Sequence, residues 1–123
     1  QFIGQGTFIP GHFISPRTVQ TELGTLQGNS SHLNHLEQSD RATNQEVDVL
    51  LRPDDIVYNK TSTLQATVIN KAFRGANILY TLKLSSGRII LSLIPSHHNH
   101  SLGENIGIQL AADHVVVFSR EKI

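Results

Sequence analysis

His97, His98 and His100 stand in one short stretch of the chain and His32 and His35 in another, out of seven histidines in 123 residues. Imidazole is the commonest metal-binding side chain, so a surface site for zinc, nickel or copper is the chemistry this clustering would suit. The spacing matches no standard structural zinc pattern, and the chain has no cysteine. The expectation is therefore no metal site, with His97, His98 and His100 as the candidates should one form. Asp54 and Asp55 are the other pair with chemical potential. Adjacent residues point in different directions, however, and no base or nucleophile accompanies them, so they read as a solvated turn beside Arg52.

Phosphate chemistry is not encoded either. There is no G-x-x-x-x-G-K-[ST], and Gly4, Gly6 and Gly11 precede a β-like run with no lysine following, which leaves them serving backbone turns. No catalytic and no cofactor-binding residue is expected. Two turns, residues 85–88 and 96–101, carry the serines and polar groups with which backbone N–H groups could hold a small oxyanion.

The composition narrows the classes further. Ten basic and ten acidic residues cancel, and no Lys/Arg cluster interleaves with aromatics, which argues against a nucleic-acid partner. Apolar runs such as residues 89–91 and 115–118 fall far short of the ~20 residues of a spanning helix, so no direct membrane insertion is expected. The absence of cysteine favours a reducing compartment, the cytoplasm. Because the sequence starts at Gln1 without a leader, it reads as a piece of something longer.

The elements that would position these groups read almost entirely as strands. Val47, Val49 and Leu51 alternate with polar neighbours, and Pro53 ends that strand in a short helical turn favoured by the two aspartates. Ile78, Tyr80, Leu82 and Leu84 share one face of the cleanest strand, Ser85, Ser86 and Gly87 supply a hairpin turn, and residues 88–94 return as its partner. Ala66 and Val68, Ile106 and Ile108, and Val115 and Val117 alternate likewise. Gly24 and Gly28 mark turns, residues 29–45 form a long polar loop, and residues 95–103 form a second loop whose side chains need no buried partner. The expected architecture is a single all-β domain over residues 1–123: a small antiparallel OB-like Greek-key barrel with extra N-terminal strands and long polar loops.

The block VLLRPDDI, together with FIGQGTFIPG and the run from GRIILSL to ADHVVVF, resembles the C-terminal regulatory (TOBE/OB-like) region of ABC-importer ATP-binding subunits, the ferric-iron subfamily most of all. That resemblance implies a regulatory and dimerisation domain, not itself an enzyme. ATP and Mg would sit on a missing nucleotide-binding domain, and a transmembrane permease would hold the parent at the inner face of the membrane. The alternative is an OB-like module that senses a small oxyanion or other ligand at a subunit boundary.

A homodimer is also expected from surplus apolar residues. If Ile89, Leu91 and Leu93 fill the barrel, Ile90 and Ile94 face outward, and if Val115 and Val117 point inward, Val116 and Phe118 do not. Ile90, Ile94, Val116 and Phe118 are thus the interface candidates, since contiguous exposure of such residues exceeds what a monomer tolerates.

Overall fold

Alternation, not helical propensity, dominates this chain, and its computed structural model is built of strands. It describes residues 2–3, 6–29, 46–112 and 114–119; the long polar loop expected over 29–45 lies almost wholly outside them. The strands are β1 (Phe2–Ile3), β2 (Gly6–Phe13), β3 (Thr18–Thr21), β4 (Gly24–Asn29), β5 (Glu46–Leu51), β6 (Ile56–Tyr58), β7 (Gln65–Arg74), β8 (Asn77–Leu84), β9 (Ile89–Pro95), β10 (Asn105–Leu110) and β11 (His114–Ser119). The expected turn at Pro53 is a 3₁₀ turn, Pro53–Asp55. Asp55 is structural: Arg52 N–H donates to Asp55 Oδ2 at 2.8 Å and Asp55 N–H to the Arg52 carbonyl at 2.9 Å, while Asp54 is exposed. Among the described residues no helix is long and apolar enough to cross a membrane.

The chain divides into two compact units, one comprising Gln1–Phe2, Phe8–Leu51 and Ala112–Ile123, the other Ile3–Thr7 and Arg52–Ala111. In the first, β2, β3, β4, β11 and β5 follow one another in the sheet, and a further pairing of β2 with β5 closes the ring. The sequence reading takes all pairings as antiparallel, but β11 runs parallel to β4, with His114 beside Gln27, and antiparallel to β5. Gly28, expected in a turn, lies inside β4. Ile9, Phe13, Val19, Val47, Val49 and Val117 are all fully buried and form the heart of this unit.

The second unit orders its strands β6-β10-β7-β8-β9. Ile78, Tyr80, Leu82 and Leu84 face its core, as their alternation predicts. The partner strand β9 corrects the expectation. Ile90 and Ile94 are 1 % and 0 % exposed, while Ile89, Leu91 and Leu93 are only half-buried. The hairpin register explains this, since Ile90 stands opposite Leu82 and Ile94 opposite Ile78, and cross-strand partners share a face. Ile90 and Ile94 therefore belong to the core and are no interface. Val116 is half-buried, and so is Phe118, whose ring meets Phe8 edge-on at 5.4 Å.

Candidate functional site

The loop of residues 95–103 is anchored by groups the sequence did not reveal. Tyr80, fully buried on β8, sends its hydroxyl to the loop, where it donates to the His98 carbonyl at 2.8 Å and accepts the His100 N–H at 2.9 Å. His100 is itself only 8 % exposed, its ring 4.5 Å from that of Tyr58 on β6 and 5.8 Å from that of Tyr80. The expectation that this loop's side chains need no buried partner is overturned. Burial here follows from a Tyr58–His100 contact across 42 residues, which no local pattern announces.

Glu104 orients His100. Nδ1 lies 3.2 Å from Glu104 Oε2, and since a carboxylate only accepts, Nδ1 carries the proton. In the neutral ring Nε2 is then a bare lone pair, buried and without a partner among the described residues. The Glu104 carboxyl also accepts the Ser101 N–H at 2.8 Å. That backbone bond first, and the His100 ring second, hold its pKa below the ordinary carboxylate value.

The remaining members of the loop are exposed, apart from half-buried Ser96. The His97 and His98 rings lie with centroids 4.2 Å apart and planes tilted by 43°, and the Asn99 side chain accepts a hydrogen bond from Lys71 Nζ on β7. The Lys71 ammonium lies 5.4 Å from the Phe73 ring centroid and 6.0 Å from that of Tyr80. His97, His98 and His100 do not converge: among the described residues no group of three or more His or acidic side chains is arranged to hold a metal ion. What the arrangement offers is one ammonium bonded to an amide of a loop that also exposes two imidazoles, with the Glu104 carboxylate near enough to act on that ammonium; the ammonium is the group that suits a small anion.

In both expected oxyanion turns part of the backbone donors is already taken, while the N–H groups of Ser85, Ser86, His97 and Asn99 have no bond among the described residues. At residues 96–101 the Ser96 N–H donates to the Ala76 carbonyl, His98 N–H to that of Pro95, His100 N–H to Tyr80 Oη and Ser101 N–H to Glu104. At residues 85–88 Gly87 N–H is taken by the Leu84 carbonyl and Arg88 N–H by Ser86 Oγ. Side chains and the uncommitted N–H groups of the two turns can both take part in recognition. A separate cleft of about 460 Å³ in the first unit is lined by His12, Gln20, Thr21, Glu22 and Glu46 among others. There the Thr21 hydroxyl is already committed to Leu23 and Gly24, and among the described residues no lysine or arginine lines the cleft.

Comparison with known proteins follows the same lines. A family model described as the TOBE domain matches residues 49–118. No curated protein matches the chain in sequence. Among solved structures, that of the cytoplasmic molybdate-binding protein ModG with molybdate bound has a TM-score of 0.72, at 16 % identity, over 97 % of this chain and 99 % of that one.

Proposed function

The chain belongs to the TOBE domain family, and from that premise we propose that it is a cytoplasmic regulatory module that binds a small tetrahedral oxyanion. The observation that carries the reading is Lys71, whose ammonium stands beside Asn99 on a loop that also exposes His97 and His98. The shared fold with a molybdate-binding protein supports the ligand class by analogy. A ligand that favours the native state raises stability by mass action, about 2.7 kcal/mol at a hundredfold excess over Kd. Titration with molybdate, tungstate, sulfate and phosphate, followed by calorimetry and by thermal melting, tests it. Molybdate or tungstate is expected to bind, with affinity at least tenfold weaker in Lys71→Gln. No heat and no shift with any of the four anions overturns the function, and undiminished binding by Lys71→Gln overturns the site.

One observation favours a second, finer reading, the regulatory region of an importer ATPase: the family match opens at Val49, the first residue of the VLLRPDDI block that carries the importer resemblance. In this reading ATP and Mg belong to a preceding domain and a permease is the partner. Nothing among the described residues selects ferric iron over another solute. Sequencing the coding region upstream of Gln1 decides it, a P-loop in frame supporting the reading and an in-frame stop overturning it.

A further inference from the structure

β7 changes character at Ile69. Up to Val68 it is held on both sides, by β8 and by the chain around β10: Gln65, Ala66 and Thr67 pair with β10, Val68 N–H donates to the Glu104 carbonyl, and Gly103 N–H to that of Val68. A bulge follows between Val68 and Asn70, and from there to Arg74 no side chain is buried. Among the described residues this half pairs with β8 alone. Arg74 opposite Asn77 closes the hairpin over two residues, with Gly75 at φ 71° supplying the turn. Hydrogen-bonded and non-bonded pairs alternate from that closing pair, so Ala72 bonds toward β8 while the backbone groups of Lys71 and Phe73 turn outward. The Lys71 N–H is accordingly taken by the Asn70 side chain at 2.8 Å instead of by β8. Phe73, at the open edge, is 65 % exposed, and Ile69 and Leu102 are exposed as well.

We propose that this open edge is the seam of a homodimer, in which a second copy of the chain adds its own β7 antiparallel across a two-fold axis at Ala72. The strand is complementary to itself about that point. Ala72 faces Ala72, Lys71 faces Phe73 and Asn70 faces Arg74, so no cation meets a cation. The Lys71 ammonium already lies over the Phe73 ring within one chain, and the partner's ring offers the same attraction across the axis. Other registers do worse: an axis at Lys71 sets that cation against itself, and an axis at Phe73 runs the pair into the turn at Gly75. Asn70 covers the edge in the single chain, as edge strands require, and yields the Lys71 N–H to the carbonyl of the second copy's strand. This goes beyond the anion-binding reading; the two share Lys71, but crosslinking at Ala72 reads the seam with no anion present.

The chain contains no cysteine, which makes the register directly testable. Directly opposed residues of a non-bonded pair place their Cα atoms ~4.5 Å apart, within disulfide range. Sedimentation over micromolar concentrations should show the parent passing from one copy to two, and Phe73→Lys, which sets lysine against lysine, should remain a single copy. Under mild oxidation Ala72→Cys should give a covalent dimer and Lys83→Cys, on the exposed face of β8, should not. A parent that stays monomeric, a dimer that survives Phe73→Lys, or crosslinking no better at Ala72 than at Lys83 overturns the proposal.

Discussion

The two barrels solve the same closure problem with different bonds. In the first, the ring is completed by backbone pairing of β2 with β5, so no side chain is needed to shut it. In the second, β6 and β9 adjoin without a ladder among the described residues, and a buried side chain spans them: Ser92 Oγ donates to the Ile56 carbonyl at 2.7 Å. Glycine is used differently too. A methyl group at Gly11 would meet Val19 Cγ1 at 2.7 Å and Val49 Cγ2 at 3.1 Å, side chains of its own core. At Gly107 it would meet the Asn59 carbonyl oxygen at 2.2 Å, in a connection where Asn59 N–H donates to the Gly107 carbonyl and Ser62 Oγ to that of Ile108. At Gly11 the tightest neighbours are side chains, with the Gln20 carbonyl at 3.2 Å behind them, whereas at Gly107 the tightest neighbour is backbone. Side chains can adjust where backbone held by its own hydrogen bonds cannot.

The largest break in this comparison should come from Gly107→Ala, expected to cost about 3 kcal/mol because the clash falls on a fixed carbonyl. Gly11→Ala should cost less, about 1–2 kcal/mol, since Val19 can shift. Urea titration of the two variants checks the order, and equal losses would erase the distinction drawn between the barrels. Ser92→Ala comes next. It removes the closing donor and strips the buried Ile56 carbonyl of that bond, for about 1 kcal/mol. A neutral result in thermal melting would mean that apolar packing alone closes the second barrel.

The smallest effect is electrostatic and confined to acid. Glu104 is held below its ordinary pKa chiefly by the Ser101 N–H and then by His100, so its ionised form is the one the fold favours. A depressed carboxylate contributes stability that is complete above its unfolded value, near 4.5, and is lost as pH falls through the lower folded value. Glu104→Gln should therefore be less stable than the parent at neutral pH, with the gap closing as pH drops below that range. A gap that stays constant down to pH ~3 would show the carboxylate's charge to be irrelevant.

These contrasts also mark what could be read in advance. β5 and β8 were legible because each has one wholly apolar face, Val47, Val49 and Leu51 in the first and Ile78 to Leu84 in the second. β9 was misread because its inward face is interrupted by Ser92, so counting apolar residues favours Ile89, Leu91 and Leu93. The hairpin register was the better guide, since the turn after Leu84 fixes which β9 residues stand opposite the known face of β8. The parallel β4–β11 pairing joins segments some ninety residues apart and carries no local signal. At the candidate site the loop's position was legible, but not its anchoring. Tyr58, Tyr80 and Lys71 come from three different strands, and nothing in their spacing announces that they meet one histidine loop.

The route of the chain through its first barrel has a consequence for synthesis. β5 and β4 each await β11, which emerges from the ribosome only after Arg52–Ala111 have been made. Those sixty residues contain every strand of the second barrel, so it can condense while the N-terminal strands still lack a neighbour. During that interval two unpaired strand edges are open to other chains, and a stalled or prematurely terminated product would keep them open. Translation speed over residues 52–113 thus sets how long the nascent protein is exposed to aggregation, a vulnerability that belongs to its making and disappears once β11 is in place.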